Sequence, residues 1–504
     1  MAPTTPFYVH LDLKGATPTP DYLTRLLAWL KHALNTASSA AAAATATFRG
    51  VLIEYEDQFP YRHAALRNPH LIWTRDELMA FLRHLHHMGL EAIPLVQTLG
   101  HLEFVLKHEC FAKWREVPEF TQCLDASGRD PEVMAFLLDL LDDVSALHKE
   151  ATDEIPVLHV GGDEVWHLGR GSASKERMER EGLKPHHLYL DHLERLVAGQ
   201  RKRWPGQRIL VWDDMLRNVP EETVAGKKDL LATVELVCWN YTLSPEHAIN
   251  AECWDKYGKV GSKVWAATAF KGASSSRAKL PPVLYHVENQ LAWKKLGNDE
   301  ALGPRNGFEG LILTGWQRFD HFAALCELLP AGIPSLVCCI QAFAKGKFGR
   351  EEREMSARIL GLDEAQFLEN APTTTPQEQL NASTPFPGYE LFLLMNDYLR
   401  LESEYNAFVN GDFLATWFNE HQRKTGKVSR LHLTSVGEQV TDLVRKVNLF
   451  ESHLVEVGGM VYGDAVVEEW HGCFVKPKSE KLHGLLNEIA PHLQTGSTSS
   501  TTSP

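Results

Sequence analysis

Two adjacent carboxylates follow a double glycine in His159-Val160-Gly161-Gly162-Asp163-Glu164. Glycines let the backbone turn tightly and leave room for a ligand to approach. Neighbouring carboxylates in a semi-apolar pocket repel, so one of the pair keeps a proton near neutral pH. A protonated Glu is the general acid that glycosidic cleavage requires, and an ionised Asp stabilises developing positive charge. Taken alone, an Asp-Glu pair fits an acidic loop or a helix N-cap equally well.

Tryptophans recur downstream, each at a short β-prone run: Trp212-Asp213-Asp214, Trp239-Asn240-Tyr241, Trp265 and Trp316-Gln317-Arg318. Sugar rings present apolar C–H faces that stack on aromatics, while their hydroxyls need convergent polar groups. Any single Trp could be core, but four on one rim with polar neighbours favour a pocket. His84, His86 and His87 share one helical segment without the spacing or carboxylate partners of a zinc site. Neither a metal nor a cofactor is expected.

The elements that must position these residues alternate. Strands are expected at 7–13, 51–55, 92–97, 157–161, 209–213, 235–240, 263–267 and 310–316, most of them short and rich in Val, Ile or Leu. Helical patterns lie between them at 22–34, 75–88, 131–148, 186–203 and 281–295. This order predicts a (β/α)8 barrel, whose reactive residues sit at the C-terminal ends of the strands. No G-x-G-x-x-G follows the first strand, which argues against a doubly wound sheet. The barrel is expected over 1–345, then a helix at 345–362 and a Pro/Thr-rich linker within 346–388. A helical region (389–493) with patterns at 389–423 and 431–461, and a disordered Ser/Thr tail (494–504), complete the chain. The Ala-rich stretch 37–46 reads as a surface loop or a continuation of the first helix.

The 504 residues carry 51 Lys+Arg against 65 Asp+Glu, a formal net charge of −14, which argues against nucleic-acid and anionic-membrane partners. Eight cysteines are too few for a disulfide scaffold, and Cys338-Cys339 are expected to be buried thiols. With no basic-apolar leader pattern at the start, the expected compartment is the cytoplasm, extending to the nucleus. Asn381-Ala382-Ser383 is then a glycosylation sequon in spelling only.

The 159–164 segment resembles the H-x-G-G-D-E signature of family 20 glycoside hydrolases, the β-N-acetylhexosaminidases, and in particular their hexosaminidase D branch. The likeness continues through His10-Leu11-Asp12-Leu13-Lys14-Gly15-Ala16, Leu52-Ile53-Glu54-Tyr55-Glu56-Asp57, Pro94-Leu95-Val96-Gln97-Thr98 and Gly100-His101. Val211-Trp212-Asp213-Asp214-Met215, Ala269-Phe270-Lys271-Gly272-Ala273, Leu313-Thr314-Gly315-Trp316-Gln317-Arg318 and 325–332 extend it over nearly all of 7–345, and weakly beyond. The resemblance implies that the sugar's own 2-acetamido group is the nucleophile. Glu164 would be acid and then base, and Asp163 would orient the acetamide. Tyr241 would stand in for the family's acetamide-binding tyrosine, and His101 would bridge to the carboxylates. His159, inside its strand, would support the pair without touching sugar.

Some of the family's hydroxyl-gripping residues are changed. The Glu of W-x-E gives way to Trp316-Gln317-Arg318, the Arg of strand 1 is Lys14, and an Asp is Gln97. Arg318 is expected to meet a strand 2 carboxylate, Glu54 or Glu56, with galactosamine-type substrates accepted well. The expectation is an exo-acting enzyme on N-acetylhexosamine-terminated glycans, with a barrel face that suits a homodimer. Two alternatives stand beside it: a carbohydrate-binding protein that lost turnover on the same barrel, and an endo-acting enzyme.

Overall fold

A computed structural model describes residues 5–39, 46–369 and 385–494. Eight strands run in chain order: β1 (Thr5–Asp12), β2 (Ala46–Glu54), β3 (Glu91–Leu95), β4 (Leu158–His159), β5 (Ile209–Trp212), β6 (Glu235–Trp239), β7 (Lys263–Lys271) and β8 (Leu311–Gly315). Each pairs in parallel with the next, and β8 returns to β1 through Phe7↔Leu311, closing the barrel. All eight expected strands are present in the expected order. β4 is the shortest because Gly161 and Gly162 follow it with φ of 65° and 87°, off the extended path.

The barrel is filled by side chains such as Leu52, Ile93, Leu210, Val237 and Ile312. Trp265 belongs to this filling, which corrects its expected place on the rim. β7 runs to Lys271, four residues beyond the expected end at 267, so Trp265 stands near its start and well before its end. There its indole donates to the Glu235 carboxylate (2.8 Å) and lies 5.5 Å from the Tyr8 ring. Arg208 closes the same end with two bonds to Glu235, at 2.7 and 2.8 Å. Three of the four expected tryptophans remain for the opposite rim.

Helices cover the barrel, and the amphipathic ones each bury one stripe. In Arg75–His87, Thr74 and Glu77 form a reciprocal N-terminal cap, and Leu78, Phe81, Leu82 and Leu85 turn inward. His84, His86 and His87 are exposed on the other face. The helix expected at 345–362 is present as Arg350–Leu360, and a further helix, Leu329–Lys345, precedes it and ends where Gly346 takes φ of 67°. Leu329–Lys345 is buried nearly throughout, so it has no polar face to reveal a helical period. Cys338 and Cys339 lie in it as buried free thiols.

The chain divides into two compact units, 1–387 and 388–504, and helices Arg350–Leu360 and Glu364–Leu368 belong to the first. The second contains Tyr389–Val409, Arg430–Gly459, Asp464–Phe474 and Lys476–Gln494 as its longer helices. Tyr398, Phe450 and Trp470 form its aromatic centre, with ring centroids 4.9 to 5.9 Å apart. The pattern expected over 389–423 is broken after Val409 and resumes as Glu420–Thr425, and the last two helices fall in the expected helical region beyond its two named patterns. Residues 40–45, most of the Pro/Thr-rich linker with its sequon, and the Ser/Thr tail from 495 lie outside the described residues. Among the described residues no helix is long and apolar enough to cross a membrane.

Candidate active site

The loop after β4 is shaped by close approaches. A Cβ on Gly161 would fall 2.0 Å from Gln97 Oε1, which accepts the Gly162 N–H at 3.1 Å. Glu164 then takes φ of 46°, a left-handed conformation that costs a side-chain-bearing residue about 1–2 kcal/mol. Three bonds hold it there. Its N–H donates to Asp214 Oδ2 (2.9 Å), and its carbonyl accepts from Gln122 Nε2 (2.8 Å) and the Trp166 N–H (2.7 Å). Asp163 is 7% exposed.

His101, also left-handed at φ 48°, arrives from the loop after β3. Its Nε2 lies 3.0 Å from Glu164 Oε2 and 3.8 Å from Asp163 Oδ2. A Cβ on the preceding Gly100 would sit 2.0 Å from the Asp163 carbonyl oxygen, so this loop packs backbone to backbone against the carboxylates. His159 stands beneath, fully buried, with Nδ1 accepting the Gly161 N–H and its ring 4.4 Å from Trp212.

Trp212, Trp239 and Trp316 form the aromatic wall of a cavity of about 690 Å³. Trp316 donates its indole N–H to the Tyr241 hydroxyl at 3.2 Å, and Tyr241 lies 5.3 Å from the Trp239 ring. Asp214 stands behind this wall rather than in it, accepting from the Trp239 indole (3.3 Å) and from the Glu164 backbone. Its expected role as a sugar contact becomes one of support.

Lys14, Glu54 and Arg318 make the polar side of the same cavity. Glu54 meets His10 (3.1 Å) and Gln97 (3.3 Å), whereas Glu56 meets His321 (2.8 Å) and Lys14 (3.8 Å). The Arg318 guanidinium donates to the carbonyls of Lys14 and Ala323, each at 3.1 Å. Among the described residues no group of three His, Cys, Asp or Glu could hold a metal ion.

A profile of the glycosyl hydrolase family 20 catalytic domain matches residues 55–256. Hexosaminidase D of Homo sapiens is 34% identical over 497 residues, covering 97% of this chain and 96% of that protein. The chain belongs to glycosyl hydrolase family 20. Hexosaminidase D of Bos taurus is 39% identical over 362 residues, 71% of this chain and 98% of that one. The fold also matches a chitobiase of Flavobacterium johnsoniae at 15% identity, with a TM-score of 0.51 over 97% of this chain and 72% of that one. This family 20 chain is thus a glycoside hydrolase of the β-N-acetylhexosaminidase type, which acts on terminal N-acetylhexosamine.

Electrostatics sort the family 20 site's groups. Burial pushes the Asp163 carboxyl up, with the charges of Glu54 and Glu164 adding to it despite His101. Enclosure therefore works against the charged form of Asp163. Burial and the Asp163 charge raise Asp214 to about 7. Burial works against a charge on His101, but Asp163 and the bond to Glu164 outweigh it and bring the imidazole to about 9. Glu54 is drawn down by Lys14 and His10 in spite of its burial. His159 falls to about 3 through burial and stays neutral.

Other residues at this site escaped the sequence reading. Glu103 and Gln122 line the cavity, Glu103 from the first turn of the short helix Glu103–Leu106 and Gln122 from an irregular loop outside any motif the sequence shows. Trp166 offered a signal, standing two residues past Glu164.

Proposed function

We propose that the enzyme removes terminal non-reducing N-acetyl-β-D-hexosamine by a substrate-assisted, retaining mechanism. The supporting observation is the division of labour within the adjacent pair. Asp163 is enclosed, with Oδ1 lacking a protein partner, while the Glu164 side chain is 33% exposed to the cavity. Side chains on neighbouring residues cannot straddle a glycosidic bond as a nucleophile and acid do, so the nucleophile comes from the substrate.

In this reading the acetamide oxygen attacks C1 as the C1–O bond breaks and Glu164 protonates the leaving oxygen. The Asp163 carboxylate accepts the acetamide N–H and stabilises the cationic ring that forms. Tyr241, whose oxygen accepts from Trp316 and whose hydroxyl also meets the Thr314 side chain, turns its proton to the acetamide oxygen when substrate binds. Glu164 then takes a proton from water, whose oxygen attacks C1 and reopens the ring with net retention. The His101 imidazolium offsets the charge whenever both carboxylates are ionised.

The test is turnover of aryl N-acetyl-β-galactosaminide and glucosaminide, compared side by side. Glu164→Gln should lower kcat by at least about a hundredfold with the fold intact. Asp163→Asn should fall most on N-acetylated substrates. Normal turnover by Glu164→Gln would remove the acid assignment, and equal cleavage of a plain β-galactoside would remove the acetamide mechanism.

A further inference from the structure

Of the five exposed Phe and Trp side chains among the described residues, four crowd one place. Phe120, Trp166, Phe319 and Phe322, 46% to 71% exposed, all line the mouth of the catalytic cavity. Isolated exposed apolar groups are ordinary, but a cluster at one opening marks a binding surface.

One side of this mouth is built in detail. Glu116 donates its N–H to the Cys123 carbonyl, and its carboxylate accepts from Gly171 and Ser174, each at 2.9 Å. Leu102 donates to the Gln122 carbonyl and Leu124 to the Leu99 carbonyl, tying the segment to the His101 loop at 3.0 Å each. Phe120 stacks on His167 with centroids 4.5 Å apart. Gln122 is 9% exposed, and because its Nε2 is committed to the Glu164 carbonyl, the orientation of its amide is fixed. Its Oε1 is buried without a protein partner at the cavity wall. A buried acceptor of this kind is costly unless a ligand or water donates to it.

We infer that Trp166, Phe120 and Gln122 form a subsite for the leaving group, holding the first uncharged sugar ring beyond the scissile bond. The inference rests on the proposed role of Glu164. The group that protonates the glycosidic oxygen faces the departing ring, and Trp166 follows it by two residues. The indole offers a face to the ring's C–H surface, and Gln122 Oε1 accepts a hydroxyl proton. Glu119 and Asp320 on the same mouth set a negative field that disfavours anionic rings.

The experiment compares two substrates of the full-length enzyme. One is a methyl N-acetyl-β-hexosaminide; the other is the same hexosamine β-linked to a neutral second sugar. Both leave as simple alcohols, so the ratio of their kcat/KM values reports the subsite rather than leaving-group reactivity. Trp166→Ala should lower the disaccharide-to-methyl ratio about tenfold, mainly through KM, and Trp166→Phe should recover most of it. Gln122 is a poorer probe, because it also holds the Glu164 backbone. An unchanged ratio in Trp166→Ala, with wild type active on both substrates, would overturn the subsite alone. A wild type inert on both would overturn the proposed function and the subsite together.

Discussion

Glu56, His101 and Glu164 are three of the four non-glycine residues with left-handed backbone among the described residues, and all three belong to the site or its immediate support. Such strain persists only where the surroundings over-determine it, as the three bonds around Glu164 do. His101 gives a prediction at this scale. Its imidazole pKa rises from 6.5 to about 9 on folding, so its contribution to stability is complete below pH 6.5. That contribution, up to about 3 kcal/mol, is lost as pH rises through 9. Melting temperatures of wild type should therefore fall between pH 7 and 10, and the fall should be shallower in His101→Asn. Asp163 and Glu164 were legible in the sequence because a double glycine announces a special backbone. Gln122 was not, since nothing in a loop's composition tells which of its polar atoms will be enclosed.

Elements place these residues by contact between backbones, and glycine marks where. Gly100→Ala would drive a methyl into the Asp163 carbonyl, and both partners are main chain, so neither can swing aside. The variant should lose about 1–3 kcal/mol of stability and most of its turnover, read by denaturant unfolding and by a chromogenic hexosaminide. Gly484, within helix Lys476–Gln494, has open space where its Cβ would stand. Gly484→Ala should raise stability by about 1 kcal/mol in the same unfolding measurement. The eight strands could be read because strands buried on both faces are short apolar runs between amphipathic helices. Trp265 was misplaced because such a run does not show where it stops, and the true end of β7 lies four residues on. Leu329–Lys345 was missed for the same reason: an element wrapped in protein on every side displays no period.

For the molecule as a whole, the eight cysteines divide by access. Cys110 and Cys473 are exposed, and the other six are buried free thiols. An aromatic disulfide reagent should titrate two thiols in the native protein and eight after denaturation, and reducing agent should leave the melting temperature unchanged. Barrel closure carries a consequence in time. β1 finds its second neighbour only at Leu311–Leu313, some three hundred residues downstream. At about 5–20 residues per second, synthesis leaves one edge of β1 unpaired for roughly 15–60 s. Through that interval an apolar strand offers its free amides and carbonyls to any passing chain. The newborn enzyme is therefore most exposed to misassembly before its last strand is made, and a chaperone that covers the Thr5–Asp12 edge would determine how much of it reaches the folded state.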